Sequence, residues 1–126
     1  MTEISGHVDL FTNFPTISIE LLNESDQRFE TSVIVDTGYN GEVILPETKI
    51  QNMDLGYEGL MSGELATGEI VEVALFKCRL KWFDEIREIT VGSTGSDIPL
   101  LGTTLLSDCD LQISFKDGSV RINRKV

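Results

Sequence analysis

The 126-residue chain has little of what most site chemistry is built from: two cysteines, one histidine, one tryptophan and three prolines. Cys78 and Cys109 match no metal-ligand spacing and His7 has no ligand partner nearby, so neither a metal nor a cofactor is expected. Two thiols without a disulfide framework read as buried and reduced. Cations are also scarce, with 10 Lys and Arg against 21 Asp and Glu and a net charge of −11. The shortage lies in the first part, where only Arg28 and Lys49 precede Lys77. Phosphate backbones need clustered Lys and Arg, so nucleic acid is excluded as a partner. No apolar run approaches the ~18 residues of a membrane span, so no membrane partner is expected. The opening "MTEISGHVDLFTNF" has no basic n-region and no unbroken apolar stretch, which argues against a signal peptide and for a cytoplasmic protein.

Short apolar runs separated by turn residues dominate the chain. "PTISIELL" (15–22) sets Ile17 and Ile19 on one face, Thr16 and Ser18 on the other, and "NESDQ" (23–27) is a polar hairpin loop. "RFETSVIVDTG" (28–38) follows, its "VIV" apolar enough for burial on both faces, then "EVILP" (42–46), stopped by Pro46. From Pro46 to Leu60 the apolar residues are too sparse to predict a helix. "ATGE" (66–69) marks a hairpin tip, and beyond it Cys78, Leu80 and Trp82 alternate with Lys77, Arg79 and Lys81. "FDEI" turns the chain into "REITV" (87–91), and "GSTGSD" (92–97) is a flexible loop. "IPLLGTTLLSDCD" (98–110) holds a short strand, a glycine and room for one helical turn, capped by Thr103 or Thr104 and buried through Leu105 and Leu106. "LQISF", "KDGS" and "VRI" close the chain as a hairpin turning at Asp117-Gly118. With no repeats or linkers, residues 1–126 form one all-β domain of roughly eight to ten strands, a closed barrel or a sandwich.

One stretch carries chemistry. "VIVDTGYNG" (33–41) drives a carboxylate, Asp36, from an apolar strand into a glycine-rich turn. An Asp at a strand end also suits an ordinary Asx-type turn. Anchored by "VIV", however, and turned by a Gly38 free to take a positive φ, Asp36 makes a rigid general acid or base. A lone carboxylate cannot accept and donate a proton at once, whereas two close together share one.

"VIVDTGYNG" followed by "PLLGTTLL" resembles the retropepsin-like aspartic proteases, and "DTGYNGEVILP" is closer to their small bacterial and archaeal forms than to the viral enzymes. The resemblance spans about residue 5 to 122. It implies a closed retropepsin-like barrel with one short helix after the "PLLG" element. It also implies that Asp36 is the catalytic residue, that Thr37 bonds across a two-fold axis and that Gly38 keeps the loop tight. Leu100, Leu101 and Gly102 would support that loop, and Ala66, Thr67 and Gly68 would form the flap tip over the substrate. Two departures stand out. Thr103-Thr104 replaces the charged Arg plus Asp or Asn of the viral enzymes, and the chain closes with a full hairpin instead of one strand.

No second Asp-Thr-Gly or Asp-Ser-Gly occurs, and a two-lobed pepsin-like monomer needs far more chain, so the reading requires a homodimer with one Asp36 from each copy. Its activity would be metal-free hydrolysis of peptide bonds. Glu42, Glu64 and Glu69 flank the loop and flap in sequence and predict a preference for peptides rich in Lys or Arg. The same dimer also suits a catalytically weak or inactive peptide-binding or regulatory protein.

Overall fold

Alternating apolar residues pair into hairpins, and these account for most of the molecule. The computed structural model describes residues 2–64 and 67–125. The first strands are β1 (Glu3–Val8), β2 (Pro15–Leu22), β3 (Arg28–Val35) and β4 (Val43–Ile44), followed by helix α1 (Glu47–Met53). Then come β5 (Gly56–Glu64), β6 (Ile70–Trp82), β7 (Glu85–Ser93) and β8 (Leu100–Leu101). Helix α2 (Thr103–Leu106) and the hairpin β9 (Cys109–Ser114) and β10 (Ser119–Arg124) finish the chain. The all-β class expected from the turn spacing holds.

The sheet order is β5-β6-β7-β4-β8-β3-β2-β1-β10-β9. β6 also pairs with β2 through Glu20↔Lys81, Leu21↔Leu80 and Leu22↔Arg79, so the middle of the sheet closes on itself. Inside that circuit lies the core: Ile17, Leu21, Val33, Leu80, Trp82 and Leu101 are each at most 1% exposed. Ile17 and Ile19 face inward together, as do Cys78, Leu80 and Trp82. The β6–β7 turn uses Phe83 and Asp84, both at positive φ, which matches the twist of a two-residue hairpin. Phe83 stays buried there, edge-on to Trp82 with ring centroids 5.3 Å apart and the Arg124 guanidinium 5.4 Å above its ring.

Two elements depart from expectation. Helix α1 occupies part of the stretch 46–60, so two short helices stand among the described residues. Ile50 and Met53, one turn apart, are its buried anchors, and Asp54 ends it in a left-handed conformation. Two apolar positions suffice because Pro46 and the neighbouring β4 fix where the helix starts. β7 also runs to Ser93, two residues into the predicted loop, because Gly92 pairs with Leu75 and Ile44.

Both cysteines are free thiols, Cys78 buried as expected but Cys109 only partly so, at the start of β9. Burial pushes each up to about 11, assisted at Cys109 by the Asp108 carboxylate. At neutral pH their thiolate fraction falls about a hundredfold below that of an ordinary cysteine. Native protein should therefore react with iodoacetamide about a hundred times more slowly than guanidinium-unfolded protein, a rate ratio that mass spectrometry reads site by site.

Candidate active site

β8 is only two residues long, yet it organises the site. It lies parallel to β3 through Ile34↔Leu100 and Val35↔Leu101, and antiparallel to β4 through Val43↔Leu101 and Ile44↔Leu100. The segment 36–42 must therefore cross over the end of β8 to link the strands on either side of it. Asp36 N–H donates to the Leu101 carbonyl at 3.0 Å, and Gly102 N–H donates to the Glu42 carbonyl at 2.8 Å. The two ends of the crossing loop are thus tied to "PLLG", and Leu101, fully buried, anchors the tie.

The first turn of α2 holds the middle of the loop. Thr103 N–H donates to the Tyr39 carbonyl at 2.8 Å and Thr104 N–H to the Gly41 carbonyl at 3.2 Å. The Thr104 hydroxyl donates to the Asn40 carbonyl at 2.6 Å. Neither threonine caps the helix, as the sequence had suggested; Gly102 occupies the cap position and no side chain caps it. The reason is that the loop carbonyls of residues 39 and 41 already take the amides a cap would serve. Leu105 is buried as expected, and Leu106 only partly.

Within this frame Asp36 is half-buried. Its Oδ1 accepts the Gly38 N–H at 2.9 Å, and its Oδ2 has no hydrogen-bond partner among the described residues. Gly38 does not take a left-handed φ, contrary to expectation. Its lack of a side chain matters for proximity instead, since a Cβ there would lie 3.2 Å from Asp36 Oδ1. Thr37 is exposed, and its hydroxyl has no partner among the described residues. Tyr39 packs over two glycines: a Cβ at Gly41 would overlap its phenol oxygen, and one at Gly102 would come within 2.6 Å of its Cδ2. Burial, and secondarily the Glu42 charge, pushes the Tyr39 phenol up, so it stays protonated.

Asp36 lines a cleft of about 730 Å³. Ile34, Ile44 and Leu100 come from the strands beneath it, and Val71 and Val73 from the β5–β6 hairpin on its other side. Phe14, Ile98 and Ile113 complete the apolar wall. Ile34 faces this cleft, which is why "VIV" is not buried on both sides. Glu64 is the other carboxylate in the lining. Glu42 is turned away, its Oε1 accepting Thr90 N–H at 3.0 Å beside a different depression, and Glu69 is exposed outside the cleft wall. Of the three acids expected to favour cationic peptides, Glu64 alone lines the cleft.

The β5–β6 hairpin is where the flap was expected. Thr67 and Gly68 lie in its turn, Gly68 with φ of +86°, and Ala66 lies outside the described residues. Sequence reasoning missed the cleft walls. The period-two spacing of Val71 and Val73 was a usable signal, whereas nothing local marks Phe14 or Ile113 as their neighbours. Among the described residues no cluster of His, Cys, Asp or Glu could hold a metal, and no helix is long and apolar enough to cross a membrane.

No protein-family model matches the chain, and no curated protein matches its sequence. Solved structures do. A retropepsin-like aspartic protease from Rickettsia conorii superposes with a TM-score of 0.64 at 18% identity, covering 97% of this chain and 90% of that one. EIAV protease in complex with the inhibitor HBY-793 gives a TM-score of 0.61 at 17% identity, over 79% of this chain and 91% of that one. The chain therefore has the retropepsin-like fold.

Proposed function

We propose that this retropepsin-fold chain is an aspartic endopeptidase whose active unit is a homodimer. The observation that carries the reading is the state of Asp36: one oxygen is fixed by the Gly38 amide and the other has no partner among the described residues, on a braced loop at a cleft beneath a hairpin. The protease identity of the fold neighbours supports it. In the dimer two Asp36 carboxylates meet at the axis and hold one proton between them, because two adjacent negative charges repel.

The reaction follows from that shared proton. The ionised Asp36 takes a proton from a water as its oxygen adds to the peptide carbonyl carbon. The protonated Asp36 gives its proton to the carbonyl oxygen, producing a neutral tetrahedral diol. The C–N bond then breaks as the amine nitrogen takes up a proton from one carboxyl group, and the other recovers the hydroxyl proton as the acid forms. Thr37 reaches the partner loop, Gly38 keeps the carboxylate and amide close, and Leu101 and Gly102 hold the loop in place. Thr67 and Gly68, in the hairpin turn, close over the peptide. The apolar walls favour aliphatic or aromatic side chains beside the scissile bond, and Glu64 favours a Lys or Arg further along. The two free thiols suit a cytoplasmic setting.

A statine-type peptide, whose hydroxyl stands where the attacking water would, should inhibit hydrolysis competitively with an affinity at least a hundredfold above that of the matching substrate. Hydrolysis indifferent to such a compound would refute the assignment. Association carries a second prediction. A charge of −11 on each copy opposes dimerisation, so raising salt from low to about 0.5 M should tighten the dimer roughly tenfold by screening. Sedimentation equilibrium across a salt series measures this directly.

A further inference from the structure

The β5–β6 hairpin has two faces, and only one of them looks into the cleft. Along β6 the side chains alternate: Val71 and Val73 line the cleft, whereas Glu72, Ala74 and Phe76 line a second groove of about 550 Å³ on the reverse side. The register carries the same division into β5, where Gly63 opposite Val71 faces the cleft and Leu60 opposite Ala74 faces the groove. Helix α1 supplies Glu47, Ile50 and Gln51 to the groove, and Asp54 and Leu55 follow beyond its end. Thr94, just after β7, lines groove and cleft alike. The hairpin thus stands between two cavities.

The lining of the groove identifies its occupant. Leu55, Leu60, Ala74 and Phe76 are its apolar part, with Leu60 62% exposed. Its charge is of one sign: Glu47, Asp54 and Glu72 are exposed, and no Lys or Arg lines the groove. None of the three acids has an ion pair among the described residues. Apolar surface beside three uncompensated carboxylates complements a segment that combines aliphatic with cationic side chains. An anionic lipid surface is repelled, and a second copy brings its own charge of −11. β5 is also an end strand of the sheet, so its outer backbone edge has no strand partner among the described residues and suits extended chain.

We propose that the groove between α1 and the back of the β5–β6 hairpin docks an extended, basic and aliphatic segment of the protein that the cleft cuts, at a distance from the scissile bond. That the segment belongs to the substrate rests on the reading of Asp36 as catalytic; that it binds does not. Its aliphatic side chains lie on Leu60 and Phe76, and its Lys or Arg side chains meet Glu47, Asp54 and Glu72. Selection for cationic protein is thereby exercised mainly behind the hairpin, where three acids gather, with Glu64 the one acid in the cleft itself.

The test is calorimetric titration of the full chain with the acetylated peptide Leu-Lys-Leu-Lys-Leu-Lys, in the Asp36→Asn background so that the probe is not consumed. Combining Glu47→Gln, Asp54→Asn and Glu72→Gln should weaken binding at least about tenfold at low salt. Asn suits position 54, where the backbone is left-handed at φ of +53°. The loss should be the same with Glu64→Gln added, which removes the charge of the cleft. Should the triple variant misfold by circular dichroism, Glu72→Gln alone replaces it, with about a threefold loss expected. Probe binding unchanged in a folded variant overturns the proposal, as does equal binding of Leu-Glu-Leu-Glu-Leu-Glu. A dimer dissociation constant that the groove substitutions alter while probe binding stays constant assigns the groove to a second copy and also overturns it. With Asp36 intact, a quenched fluorogenic peptide linked to the probe should show a KM about tenfold below the unlinked peptide at equal kcat, and the groove substitutions should erase that advantage. Equal KM values overturn the assignment to substrate. Probe binding at the groove without hydrolysis of either peptide upholds the docking and sinks the Asp36 reading.

Discussion

Asp36→Asn should eliminate peptide hydrolysis, by about a thousandfold or more in kcat, while leaving a folded dimer. The two halves of this expectation have separate causes. An amide can neither take the proton from water nor return one to the leaving nitrogen, and general acid–base transfer alone commonly contributes ~10²–10⁴ in rate. Structurally, though, Asn replaces Asp almost atom for atom. Its carbonyl oxygen can still accept the Gly38 N–H that Asp36 Oδ1 accepts at 2.9 Å. The backbone bond from Asp36 N–H to Leu101 is untouched. Stability should therefore shift by less than about 1 kcal/mol. Dimerisation should hold or tighten, since two neutral amides replace two carboxylates that repel. A quenched fluorogenic peptide library read beside sedimentation separates the outcomes. Hydrolysis retained by the variant would remove Asp36 from the chemistry.

Gly102→Ala should be the most damaging conservative change to the frame, costing about 3 kcal/mol or more. A Cβ there would overlap the Gly41 carbonyl oxygen and lie 2.6 Å from Tyr39 Cδ2 and 2.7 Å from the Tyr39 carbonyl oxygen. Two of these three obstacles are backbone atoms, so no side-chain rotation relieves them. Both belong to the loop that Thr103 and Thr104 grip from the other side, so relief requires breaking those hydrogen bonds. Whatever protein still folds should carry a displaced Asp36 and turn over slowly. Gly63→Ala is the control. Its nearest obstacles are the methyls Val73 Cγ2 at 3.4 Å and Val71 Cγ2 at 3.8 Å, so it should change stability by about 0.5 kcal/mol or less. Urea midpoints of the two variants give the comparison.

Much of this architecture was legible before any coordinates. The strands that alternate cleanly, such as Ile17-Ile19 and Cys78-Leu80-Trp82, fell on the expected faces because burial enforces a period of two. Asp36 stood out because a charge at the end of an apolar run needs a reason. Less legible was everything decided by non-local pairing. α1 rests on two buried residues, Ile50 and Met53, too few for periodicity to register. The threonines after Gly102 looked like caps because their partners lie in a loop some sixty residues earlier, and sequence distance hides such contacts. The same applies to Glu42, close to Asp36 along the chain but engaged with Thr90. Tyr39 was noted only as part of a motif; that it packs over Gly41 and Gly102 depends on where β8 arrives.

The placement of β8 has a consequence for when the molecule becomes competent. Residues 100 and 101 slot between two strands made long before them, and only then do residues 102–104 clamp segment 39–42. A growing chain on the ribosome therefore carries Asp36 without the clamp that orients it until residues 102–104 have been made. Such late, distant closure is slow relative to local hairpin formation. Newly made protein thus lacks the brace on its Asp36 loop until residues 102–104 have emerged, an order of events set by strand order alone.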